Sequence, residues 1–257
     1  MNRLKPSIAL LLAAALAFPA VSEAGRITDY DPITGQPAPS GLAPPYLVVL
    51  DAAVPGGDSP IEEIRMSSYR ETDPTFASYG VSAGDAGPDA VLFETDGVQT
   101  SVRDQSNDRP TLFISVSLTC PIARASLERA AEVAALFDGA IDVKLVYVVE
   151  AHPTADPSPY TDAEWPSPEN SVEGLLYQQP RTFGARVALA NILIDRMGIE
   201  LPVLVDGPSN AWWNAYGPAP NNAVLVAPDG TVMLEHGWFD GDGLDIVGDL
   251  IDLLPSV

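Results

Sequence analysis

The chain has 257 residues, with 13 basic and 35 acidic side chains, a formal charge of −22, 25 prolines, 20 glycines and one cysteine. So acidic a surface repels nucleic acid and anionic lipid, and no basic stripe offsets it. One Cys allows no internal disulfide, so stability must come from an ordinary apolar core, and any disulfide is intermolecular or transient.

Residues 1–24 read as a signal peptide. Arg3 and Lys5 supply the positive end, Ile8 to Phe18 the apolar run, and Ser22-Glu23-Ala24 a small-x-small cleavage site before Gly25. The run is short and closely followed by polar sequence, which predicts export to the periplasm or the extracellular space without stable membrane insertion. Retention as an uncleaved anchor is the weaker alternative. Cleavage would leave about 233 residues, a charge of about −23 and Lys144 as the last lysine. An aspartate-rich, lysine-poor surface suits a salty medium, where self-repulsion is screened. Residues 25–89, rich in Pro, Gly, Ser and Asp, read as an N-terminal extension that either packs on the main domain or acts as a spacer.

The third segment, residues 90–257, carries the regular patterns. Ala90 to Val98 predicts a strand turning at Asp96-Gly97, with a second short strand after it. Thr111 to Ser117 predicts a buried strand, and Ile122 to Phe137 a helix with Leu127, Ala131 and Ala134 or Ala135 inward. Val143 to Val149 is a near-continuous apolar strand of the kind covered on both faces. A Pro- and Asp-rich loop, His152 to about Asn170, precedes a helix from Thr182 to Met197 capped at Gly198. Pro202 to Asp206 predicts a strand, Ser209 to Tyr216 a short helix or turn, Ala223–Ala227 and Thr231–Glu235 a hairpin, and Leu244 to Leu254 the closing helix. This order predicts an α/β fold with a mixed central sheet flanked by helices.

Cys120 stands where the first core strand hands over to a helix. Unpaired amide donors and the positive helix end there favour thiolate, the nucleophilic form. Glu150 and His152 fall at the end of the second core strand, on the same sheet edge, where open α/β sheets place their sites. An imidazolium nearby would lower a thiol pKa, and an imidazole could pass a proton. No spacing resembles a zinc site, and neither a Gly-x-Gly-x-x-Gly nor a phosphate loop is present. Asp240-Gly241-Asp242 hints at a calcium turn without the rest of a binding loop, and His236 reads as structural. Trp212, Trp213 and Tyr216 read either as an aromatic wall for a ring substrate or as core. Trp165 is a candidate lid.

Arg109-Pro110 before a strand, Thr119-Cys120-Pro121, Val146 to Pro153 with its Glu-Ala-His-Pro run, Pro202 to Asp206, Asn210 and Ala215-Tyr216-Gly217 together resemble the iodothyronine deiodinase family. The chain looks like a bacterial-type homologue with Cys in place of selenocysteine, over about residues 90 to 257. The resemblance implies a thioredoxin-like fold of the peroxiredoxin and deiodinase type. It also implies reductive dehalogenation of an iodinated aromatic, with Cys120 as iodine acceptor and Glu150 and His152 transferring protons. Ser117, Thr119, Arg124, Trp165, Arg181 and Tyr216 are substrate or support candidates. No cofactor is expected. The partners expected are a small halogenated aromatic or a peroxide, and an external thiol or thioredoxin-like reductant; a homodimer is left open.

The departures from the family pattern bear on activity. Sulfur is a poorer leaving group than selenium, so deiodination is expected to be slow. Leu118 stands where the family often has a second Cys, Pro180 at a family histidine and Asn221-Asn222 at a Glu-Arg pair. The enzyme alternative is a single-Cys peroxidase, although Ser117 and Phe113 replace the Thr and Pro of a peroxiredoxin motif. The non-enzyme alternative is a thioredoxin-like binding module in which Cys120 only packs.

Overall fold

The computed structural model describes residues 57–62, 80–161, 163–241 and 243–254. The expected signal peptide and most of the extension lie outside the described residues. Strands β1 (Val91–Glu94) and β2 (Gln99–Ser101) form the predicted hairpin, with Gly97 at φ 90° where the chain reverses. A helical turn, α1 (Val102–Ser106), follows; Asp104 N–H donates to the cap residue Ser101. Then come β3 (Thr111–Val116), α2 (Pro121–Ala125), α3 (Leu127–Leu136), β4 (Asp142–Tyr147), α4 (Pro168–Glu173), α5 (Phe183–Met197), β5 (Val203–Asp206), α6 (Ala211–Tyr216), β6 (Ala223–Val226), β7 (Val232–His236) and α7 (Ile246–Leu253).

The seven strands make one sheet in the order β2-β1-β5-β4-β3-β6-β7. Strands β3, β4 and β5 run parallel, β1 is antiparallel to β5, and β6 and β7 add antiparallel to β3. All six residues of β3 are buried, as a strand paired on both edges and covered on both faces requires. The β3-helix-β4 unit, the antiparallel β6-β7 pair and the closing helix form the expected thioredoxin-like mixed sheet with flanking helices.

Two expectations need correction. The helix after Cys120 is broken: Ser126 ends α2, its Oγ donating to Ala123 O at 2.9 Å and accepting from Asn221 Nδ2 at 3.1 Å. Such back-bonding competes with the helical ladder. The break resets the inward face, so Ala130 and Val133 are buried while Ala131 and Ala135 face outward and Ala134 is half-buried. The second correction is α4, a helix that begins within the stretch read as loop and runs past its end, started by Ser167 and Pro168 and stopped by Gly174 at φ 68°.

Residues 57–62 run along the start of α5. Gly184 N–H donates to Gly57 O at 2.8 Å, Phe183 N–H to Ser59 O at 3.0 Å, and Ile61 N–H to Arg181 O at 3.0 Å. Among the described residues no helix is long and apolar enough to cross a membrane.

Candidate active site

Parallel strands deliver their chain ends to one edge, and β3 and β4 bring Cys120 and Glu150 there in register, with Val116 paired to Tyr147. Cys120 is the cap residue of α2, and Ala123 N–H donates to its Sγ at 3.4 Å. Thr119, one residue earlier, joins the two loops. Its N–H donates to Glu150 Oε2 at 2.8 Å, its Oγ1 accepts from His152 N–H at 3.1 Å, and its carbonyl accepts from Asn170 Nδ2 at 2.8 Å. Ser117 Oγ accepts from Ala151 N–H at 3.4 Å, a further tie between the same loops. These bonds tie the loop of Ser117, Thr119 and Cys120 to the loop of Glu150 and His152, the latter joining through its main-chain N–H.

The thiol does not behave as its helix position predicts. Cys120 is 1 % exposed, and burial pushes its pKa up to about 11, against the opposing pull of the Ala123 and Ile122 amides and Arg124. Helix donors are worth a fraction of the cost of stripping water from a thiolate, so the thiol at rest keeps its proton. Glu150 raises it slightly further.

Glu150 is fully buried. Burial lifts its carboxyl above the ordinary range, while hydrogen bonds from Tyr147 and Thr119 and the Arg186 charge draw it back. Tyr147 hydroxyl donates to Glu150 Oε1 and accepts from Leu118 N–H at 3.2 Å. Gln179 fixes the main chain of Glu150 from both sides, accepting from its N–H at 2.7 Å and donating to its carbonyl at 3.0 Å. His152 is half-buried; its Nδ1 pairs with Trp165 O at 2.9 Å, and the two rings meet edge-on at 4.4 Å. Trp165 thus packs against His152 through both its ring and its carbonyl.

Arg124 and Arg181 are engaged within the fold. Arg124 Nη1 donates to Leu118 O at 2.6 Å and Nη2 lies 3.0 Å from Glu173, with the side chain buried. Arg181 pairs with Asp156, whose other oxygen accepts from Gln179 N–H at 3.0 Å. Tyr216 belongs to the core: it stacks on Trp212 at 4.3 Å and its hydroxyl donates to Pro88 O. Trp212 Nε1 donates to Ser115 Oγ at 2.8 Å. His236 ties β7 to α7 through Asp249 at 2.9 Å, and Asp240 accepts from Arg129 at 2.8 Å. No group of three or more His, Cys, Asp or Glu among the described residues is arranged to hold a metal ion.

Sequence reading missed Tyr147, Tyr160, Asn170, Gln179 and Arg186. Tyr160 lies within electrostatic reach of Cys120, and its hydroxyl donates to Pro218 O at 2.7 Å. Only Arg186 left a signal, a lone cation in the apolar helix Phe183-Gly184-Ala185-Arg186-Val187-Ala188-Leu189.

The iodothyronine deiodinase family model matches residues 73–239. No curated protein matches the chain. Among solved structures, a putative thiol:disulfide interchange protein DsbE from Chlorobium tepidum is 14% identical with a TM-score of 0.45, over 68% of this chain and 99% of that one. A secreted Mycobacterium tuberculosis disulfide oxidoreductase is 12% identical with a TM-score of 0.39, over 65% and 95%. A peroxiredoxin-like protein from Aquifex aeolicus is 15% identical with a TM-score of 0.38, over 62% and 78%.

Proposed function

The chain belongs to the iodothyronine deiodinase family, and from that premise we propose that it is an exported, thiol-dependent oxidoreductase that removes iodine reductively from an iodinated aromatic ring. In the first step Cys120 sulfur takes the iodine, the carbon–iodine bond breaks, and the ring carbon gains a proton. The products are the deiodinated ring and a sulfenyl iodide at Cys120. An external thiol then displaces iodide to form a mixed disulfide, and a second thiol regenerates Cys120 and leaves as disulfide. The sum is one iodoarene and two thiols giving one arene, one disulfide and hydrogen iodide.

The observation that supports this reading is the double clamp on Thr119. The residue before the nucleophile is bonded to both members of the proton-handling pair, by the Glu150 carboxyl and by the His152 main chain. Protons reach the ring carbon from this pair while the Cys120 proton is given up in the same event, so a thiol protonated at rest is compatible with turnover. Opening of the segment that carries Trp165 and Tyr160 admits the ring.

The buried, protonated thiol is the observation that favours the second reading, a binding module in which Cys120 packs. Iodide release from an iodinated phenol, with dithiothreitol in excess, separates the two. Slow release abolished by Cys120→Ala and reduced at least tenfold by His152→Ala is the expected result. Release that survives Cys120→Ala, or no release above the uncatalysed rate, sinks the enzyme reading.

A further inference from the structure

Among the described residues, besides the Cys120 thiol and the Tyr147 phenol, two carboxyls and one guanidinium lie at 0 % exposure around the end of the parallel strands: Glu150 after β4, Asp206 ending β5 and Arg186 in α5. Tyr147 pairs with Val205, which places the Glu150 partner beside the residue that precedes Asp206. Arg186 is permanently charged. Its Nη1 donates to the carbonyls of Asp206 and Gly207 at 2.9 Å each, its Nη2 to Asn210 Oδ1 at 2.6 Å, and its Nε meets no acceptor among the described residues. All three acceptors are neutral, so a carboxylate close by must balance this cation. A buried site that holds one cation holds one carboxylate at low cost and a second only at high cost.

The two carboxyls differ in their donors. Asp206 Oδ1 and Oδ2 accept from Trp212 and Trp213 N–H at 3.0 Å each, and Gly207 N–H adds a third amide. Amides only donate, so this setting suits the ionised form. Glu150 has one amide, from Thr119, and the hydroxyls of Tyr147 and Thr119. A hydroxyl donates or accepts, so the Tyr147–Glu150 contact survives with the proton on either oxygen.

We infer that Asp206 is the carboxylate that balances Arg186, leaving Glu150 to hold a proton against Tyr147 at neutral pH, and that Arg186 and Asp206 are thereby positioning residues for that proton. Burial drives both carboxyls upward, as expected where only one negative charge is balanced. Of the neighbouring groups, the Cys120 thiol and the Tyr147 phenol supply no cation, Arg124 faces Cys120 and is engaged by Glu173, and His152 joins through its main chain with its ring turned to Trp165 O. The use of the proton rests on the oxidoreductase reading; its presence does not.

Infrared spectroscopy of the whole mature protein at neutral pH tests this without turnover. A protonated-carboxyl C=O band is expected in the wild type and lost in Glu150→Gln. Asp206→Asn leaves Arg186 unbalanced, so Glu150 ionises and the band disappears there too. The charge-neutral double variant Arg186→Met/Asp206→Asn brings it back, a recovery that a purely structural role does not produce. The double variant decides the matter if Asp206→Asn alone does not fold. A band that Glu150→Gln leaves unchanged, one that persists in folded Asp206→Asn, or one absent from the double variant overturns the inference. If iodophenol turnover fails while these bands behave as stated, the oxidoreductase reading falls and the charge balance stands.

Discussion

Cys120 is held between opposing forces, and the outcome is measurable. The unfolded chain loses the thiol proton near pH 9, the folded chain near 11. Across that interval only the unfolded state has ionised, so the contribution of this site to stability is whole below about pH 9 and fades as pH rises to about 11. About 3 kcal/mol is at stake, the equivalent of two decades in proton affinity. Urea melts between pH 8 and 11 should therefore show a steeper alkaline loss for the wild type than for Cys120→Ala; parallel losses would mean the thiol is not buried as described. Iodoacetamide labelling of the native protein should likewise reach its midpoint near pH 11, and a midpoint at or below about 8.5 would contradict the burial. At this scale the sequence named Thr119, Cys120, Glu150 and His152, because Thr-Cys-Pro and Glu-Ala-His-Pro are local strings, and left out Tyr147 and Gln179, which hold Glu150 in place. It did not yield the protonation state, which is set by what covers the sulfur. Tyr160 is 40 residues from Cys120, and no local pattern announces that approach.

Elements were legible where one periodicity governed them. The buried runs of β3 and β4, the Asp-Gly turn after β1 and the Gly198 stop at φ 62° all rest on neighbours in sequence. The break at Ser126 was not legible, because the bond that singles it out comes from Asn221, 95 residues away. The contact of residues 57–62 with α5 depends on a similarly non-local fit, at Gly184. A Cβ there would stand 2.8 Å from Gly57 O, closer than packed atoms approach, and that oxygen belongs to main chain rather than a flexible tip. Gly184→Ala should push the segment away while α5 keeps its own cap, in which Thr182 Oγ1 accepts from Ala185 N–H at 3.3 Å. Hydrogen exchange should then quicken at Phe183, residue 184 and Ile61, whose amides cross this contact, and at Glu62, whose amide holds the same segment to Pro208 O, with β3 amides still protected. Unchanged exchange at those four amides would show that the segment tolerates the methyl and that the close approach is not what holds it.

Across the whole molecule the governing quantity is the charge of −22. Few cations interrupt the acidic surface, and pairs such as Arg109–Asp142 and Arg129–Glu132 are exposed enough to be worth about 0 to 1 kcal/mol each. Added salt weakens these attractions a little and the carboxylate repulsion much more, because repulsive pairs outnumber attractive ones. The screening length falls from about 10 Å at 0.1 M to about 3 Å at 1 M, shorter than most spacings between surface charges. Sodium chloride raised over that range at pH 7 should therefore raise Tm by several degrees, where about 1 kcal/mol corresponds to roughly 2–4 °C for a chain of this size. The same titration near pH 4, close to the isoelectric point of about 4.1, separates charge screening from a general salt effect. There the repulsion is gone and the gain should vanish. An equal rise at both pH values would assign the effect to the salt acting on apolar burial, and no rise at pH 7 would mean that the acidic surface carries no net strain for salt to relieve.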